Sequence, residues 1–153
     1  MEKNIYNLSI AMKVYGIFLP IAVTTFAWWP EVGRWPPYHP VYERMFIAIF
    51  FAWGICLLNG SSNPRENLGL VDFTSLQGIF HGSVMAVDTI LGNGGHHGFW
   101  HFIGDVFLHL SAPIVLIPLR IRVEPIQIYL HKSILVVIIL YSFLLIYLGF
   151  FLL

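Results

Sequence analysis

Apolar residues fall in long closed runs rather than alternating with polar ones, and those runs set the predicted architecture. A bilayer core about 30 Å thick takes about 20 apolar residues per helix, at about 1.5 Å rise per residue. Five stretches qualify, at about 14–30, 45–59, 64–91, 99–119 and 134–153, the second staying uncharged as far as Pro64. The first closes on Trp28, Trp29 and Pro30, whereas a cleaved leader ends in small residues, so it is predicted to be a retained span. The third is polar for a span, and the fifth is the purest apolar run of the chain. An unpaired backbone group in lipid costs several kcal/mol, so all five are predicted helical, and none alternates as a barrel strand does. The predicted fold is all-α: one membrane domain over 1–153, a bundle of five transmembrane helices.

The cations orient this bundle. Lys3, Lys13, Arg65, Arg120, Arg122 and Lys132 fall on one side of a five-span layout, and only Arg34 and Arg44 on the other. The positive-inside rule then puts the N-terminus in the cytoplasm and the C-terminus outside, in a bacterial inner membrane. Trp28, Trp29 and Trp35 read as an aromatic belt at the outer interface. Asn63-Pro64-Arg65-Glu66 reads as a helix start, with Asn63 as N-cap, Pro64 in the first position and Glu66 in the third. Pro36, Pro37 and Pro40 stiffen the outer loop, while Gly92, Gly94, Gly95 and Gly98 make a flexible link.

Composition narrows the class further. Of 153 residues, 58% are hydrophobic and only 10% charged, with a mean hydropathy of +0.76; an average soluble domain is about 25% charged. Lys+Arg and Asp+Glu cancel at 8 each, which leaves no basic footprint for nucleic acid. The single Cys56 makes no internal disulfide. The length suits one small bundle and excludes a transporter built from two repeated halves.

Candidate chemistry lies in the polar residues that interrupt the spans, because a charge at membrane depth costs about 2.5–3.5 kcal/mol on insertion scales. Thr74, Gln77, His81 and Asp88 recur at helical spacing in the third span and share one stripe with Gly78 and Met85. Asp72 falls off that stripe near the inner surface, where Arg65 is its expected partner. The fourth span carries His97, His101, Asp105 and His109, each four residues apart. That ladder covers about 18 Å, too long to surround one ion, although two adjacent members can share one. The short link between these spans makes them antiparallel. Counted inward, Asp88 and His101 then lie within about 5 Å of the outer surface, and His81 and His109 both about 15 Å down. Asp105 falls between, and Glu43 leans over the same rim.

Four uses of such a cluster stay open. Imidazole with carboxylate suits zinc, copper or iron, and His and Asp at graded depth suit proton transfer. His81 between Gly78 and Gly82 leaves room for an axially bound macrocycle. The plain alternative is interhelical packing glue, with the small residues permitting close approach.

Several of these elements are similar to those of a known family. Tyr42-Glu43 at the start of a span, Asn63-Pro64, Asp72-Phe73-Thr74, His81-Gly82 with Met85, and His101 followed by Gly104-Asp105-Val106 resemble a family of short bacterial integral membrane proteins. That family is known only as a domain of unknown function. The resemblance covers roughly residues 10–119 and implies a four-span core, with 133–153 as an added fifth span. It implies a neutral polar residue where this chain has Asp88, and it supplies no reaction.

The expected function is therefore non-catalytic: a small accessory or structural subunit of a larger photosynthetic, respiratory or oxygenase complex, in contact with lipid and with other membrane subunits. The alternative is a membrane metalloenzyme acting on a small or lipophilic substrate from the outer side. His81, His101 and Asp105 would then be ligands, Glu43 or Asp88 the base, and His109 a reserve ligand. A proton channel is disfavoured, because the ladder stops near mid-membrane.

Overall fold

The computed structural model describes residues 2–28, 40–91 and 102–124, together with Tyr141. Among these the protein is all-helical and without strands: α1 is Glu2–Trp28, α2 Pro40–Gly60, α3 Leu68–Ile90 and α4 Leu108–Val123, the last preceded by a π-helical segment, Phe102–Phe107. Among the described residues one helix is long and apolar enough to cross a membrane, Glu2–Thr25 with a hydropathy of 1.6; Arg44–Gly60 is a shorter apolar helix. The fifth predicted span (Tyr141 apart), Trp29, Trp35 and His101 lie outside the described residues.

Local chemistry moves two predicted helix starts. α1 begins at Glu2 rather than Val14, with an acid in the first turn where the helix dipole favours one. α3 begins at Leu68, with Asn67 in the cap position, and not at Pro64. Asn63 takes part through its carbonyl, which accepts the Glu66 N–H (3.2 Å) and the Asn67 side-chain amide (2.9 Å). Asn67 N–H in turn bonds the Pro64 carbonyl at 3.2 Å. Asn side chains compete with the backbone in this way, and the result is a string of turns where one helical turn was expected.

The helices pack antiparallel, α1 on α2, α3 on α4 and α1 on α4. One apolar core joins all four, with Leu8, Met12 and Tyr15 of α1, Trp53 and Leu57 of α2, Leu68 and Val71 of α3, and Ala112 and Leu116 of α4. Polar side chains tie the interior across helices. Tyr15 O–H donates to Ser111 Oγ at 3.2 Å, Trp53 Nε1–H to Thr74 Oγ1 at 3.0 Å, and Ser9 O–H to the Ser61 carbonyl at 2.6 Å.

The α1–α2 and α3–α4 contacts are built on one device. A proline inside a helix leaves the carbonyl four residues earlier without its N–H partner. For Pro20 in α1 that carbonyl belongs to Gly16, and for Pro113 in α4 to His109. Each meets a glycine of the neighbouring helix. A Cβ at Gly54 would lie 2.6 Å from Gly16 O and 2.7 Å from Pro20 Cδ; a Cβ at Gly78 would overlap His109 O and lie 2.8 Å from Pro113 Cδ. Only glycine lets the backbones come this close.

Asp72 pairs with Arg120, and not with Arg65 as expected. The guanidinium holds the carboxylate through two bonds, Nε to Oδ1 at 2.9 Å and Nη2 to Oδ2 at 3.3 Å, and a further N–H donates to the Glu124 carbonyl at 2.7 Å. The antiparallel run of α3 and α4 brings the start of one level with the end of the other, while Arg65 sits exposed in the turn.

Candidate functional site

α3 and α4 bring His81 and His109 together. Their rings stack with centroids 4.0 Å apart and planes 22° from parallel. His109 is 4% exposed, and Phe50 of α2 meets its ring edge-on at 5.7 Å. The equal depths counted along the two helices account for the meeting of these two imidazoles. Asp88 lies in the last turn of α3, well above them. His101 and the side chains of Glu43 and Asp105 fall outside the described residues.

The geometry of the pair bears on its chemistry. Two imidazoles on one ion point a nitrogen edge at it and spread their rings apart, whereas these lie face to face. Among the described residues no group of three or more His, Cys, Asp or Glu could hold a metal ion. The space expected beside His81 for a macrocycle is also filled: a Cβ at Gly82 would lie 2.8 Å from Leu110 Cδ2 and 3.3 Å from His109 Cβ, and the Gly78 side is closed by Pro113. These glycines serve helix contact. Asp105 belongs to the π-helical segment, so the i, i+4 argument that set it above His109 does not carry over: a π turn is wider than an α turn.

His81 also borders a groove. Phe73, Leu76, Gln77, Phe80, His81 and Val84 of α3 line it together with Tyr141, around an open volume of about 540 Å³. Tyr141 is fixed there twice. Its O–H donates to the Phe80 carbonyl at 2.8 Å, and its ring meets the Phe80 ring edge-on at 4.6 Å. Gln77 Oε1 is buried and has no hydrogen-bond partner among the described residues. The groove is thus largely apolar, with an amide, an imidazole and a phenol along it. Sequence reasoning placed Gln77 and His81 on one stripe and missed Tyr141. The available signal was a phenol, an apolar body with a polar tip, inside a run without charges, although Tyr147 carries the same signal.

A family model, described as a family of unknown function (DUF6632), matches residues 4–136, and the chain belongs to that family. The match runs beyond the resemblance at residues 10–119, past the end of α4. No curated protein and no solved structure matches the chain.

Proposed function

We propose that this member of the family is a non-catalytic accessory or structural subunit of a larger bacterial inner-membrane complex of photosynthetic, respiratory or oxygenase type. In this reading it is a five-span bundle, with the N-terminus cytoplasmic and the C-terminus outside. One observation carries the proposal: polarity is arranged inside out. Ile10, Val14, Ile17 and Ile21 of α1, Met45, Ile49 and Ile55 of α2, and Ile114 and Ile121 of α4 are all exposed. The polar groups Tyr15, Ser111, Trp53 and Thr74 meanwhile turn inward and bond one another. Soluble monomers rarely expose apolar patches larger than a few hundred Å², whereas lipid and partner helices select such a surface.

Two further features support the reading. The start of α1, the α2–α3 turn and the end of α4 meet at one end of the bundle, where the side chain of Asn4 bonds the Arg122 carbonyl at 3.3 Å. That end holds Lys3, Arg65, Arg120 and Arg122, in keeping with a cytoplasmic side. The stacked histidines and glycine contacts supply cohesion between helices and offer no convergent set of ligands.

Extraction in mild detergent followed by native mass measurement tests the proposal. The protein should resist alkaline washing of membranes and travel in a species heavier than its own 17.5 kDa. A free monomer carrying stoichiometric zinc, copper or iron, and losing it on His81→Ala, would replace this reading with a metalloenzyme acting on a lipophilic substrate.

A further inference from the structure

We propose that the groove along α3 is the seam against which the chain's own fifth apolar stretch, 134–153, runs as a helix parallel to α3. Tyr141, the described residue of that stretch, identifies the occupant. Its O–H donates to the Phe80 carbonyl at 2.8 Å, and its ring meets the Phe80 ring edge-on at 4.6 Å. The groove follows a single helical face. Phe73, Leu76, Gln77, Phe80 and Val84 recur at the spacing of residues that share one stripe, centred on Phe80. The same spacing about Tyr141 picks out Ile134, Val137, Ile138, Leu145 and Leu148, all apolar. Ser142 and Tyr147, the polar residues nearest to it, fall about a quarter-turn or more to the sides.

Depth and chain length give the direction, and this step rests on the membrane reading above. The Asp72–Arg120 pair marks the inner end of the bundle. Phe80 lies eight residues beyond Asp72 in α3, about 12 Å further out. Ile134, just past Lys132, lies seven residues before Tyr141, so a helix entering at the inner end lifts Tyr141 by about 11 Å, to the height of Phe80. The link 124–133 then stays at that end with Glu124, His131 and Lys132. The opposite direction puts Ile134 about 11 Å above Phe80, so the link has to climb about 23 Å from the level of Asp72. Its ten residues reach that far only when extended, with unpaired backbone, Glu124 and Lys132 inside the apolar layer, which lipid does not accommodate.

Paired cysteines in a Cys56→Ser background test the seam in the full chain in its own membrane. Counted from the Phe80–Tyr141 contact, a parallel helix sets Val84 beside Leu145 and Leu76 beside Val137, and an antiparallel one sets Val84 beside Val137 and Leu76 beside Leu145. After mild copper–phenanthroline oxidation, Val84→Cys with Leu145→Cys, and Leu76→Cys with Val137→Cys, should each close within one chain and lose both thiols to a maleimide count. The two crossed combinations should keep theirs, because their members stand about 12 Å apart along the axis and a disulfide needs Cα atoms within about 7 Å. The second parallel pair carries the test should the first variant fail to assemble. Closure of the crossed pairs, closure of neither set, or a bridge that joins two chains into a dimer would overturn the proposal; the last would seat a second copy on α3. Protein stripped from the membrane by alkaline washing would overturn the membrane reading instead, and the pattern of closure would still decide the seam.

Discussion

Replacing Gly54 by alanine tests whether the proline-freed carbonyl and the facing glycine set the distance between α1 and α2. A Cβ at that position would stand 2.6 Å from Gly16 O and 2.7 Å from Pro20 Cδ and Cγ, where ordinary contact begins at 3.4 Å. The shortfall is about 0.8 Å, and the opposing groups are a backbone carbonyl and a pyrrolidine ring, neither of which can swing away. The helices must part, and overpacking of this kind costs about 1–3 kcal/mol. Alanine returns about 0.5–1 kcal/mol of backbone entropy in a helix interior. The net expectation is a loss of up to about 2.5 kcal/mol, or a Tm lower by up to about 10 °C for a chain of this length. Gly69 provides the internal control: it lies exposed in α3, and a Cβ there meets nothing within 4 Å. Gly69→Ala should therefore leave stability unchanged or raise it by up to about 1 kcal/mol. Thermal unfolding of both variants in maltoside detergent, followed by circular dichroism, reads the two signs. A Gly54→Ala protein as stable as Gly69→Ala would show that the contact between α1 and α2 is loose and that the glycine–proline argument is wrong.

Three further outcomes follow from the polar ties. Thr74→Val leaves the buried Trp53 N–H without its acceptor and should cost about 1–3 kcal/mol, with a shift in tryptophan emission as the second readout. Arg120→Lys should lose about 1 kcal/mol or less, because a single ammonium cannot reproduce the two bonds to Asp72, and that pair is partly open to solvent. Its loss should shrink as salt is raised, and a loss insensitive to salt would place the effect in packing. Tyr141→Phe keeps the ring contact with Phe80 and removes one hydrogen bond. It should lower stability by about 0.5–1.5 kcal/mol, and a variant equal to the parent would show that the ring alone holds the segment.

What was legible in the sequence is what depends on counting along one helix. The all-helical class, the exclusion of Asp72 from the polar stripe and the equal depth of His81 and His109 come from the length of the apolar runs, the rise per residue and the helical period alone. What failed needed two helices at once. The partner of Asp72 was sought seven residues away and lies 48 residues away, because the choice depends on how α3 and α4 cross. The glycines beside His81 looked like space left for a ligand, and they are the contact surface for Leu110 and Pro113. A missing side chain reads identically in both cases, and only the backbone on the far side distinguishes them. Asn63 was a sound cap by residue type, but Asn67 lay one turn on with the same chemistry, and no local rule ranks the two.

Tyr141 changes what the fifth apolar stretch is expected to do. As the purest apolar run, beyond a four-span core, it reads as an added fifth span. One phenol within it is bonded to the backbone of α3 and packed on Phe80, beside His81 and Gln77. The family match also continues past α4 to residue 136, where that stretch begins. At Tyr141, then, the stretch contacts the third helix of its own chain. A partner helix in the proposed complex then has other exposed apolar rows to meet: Val14, Ile17 and Ile21 of α1, Met45, Ile49 and Ile55 of α2, and Phe107 of the π-helical segment with Ile114 and Ile121 of α4.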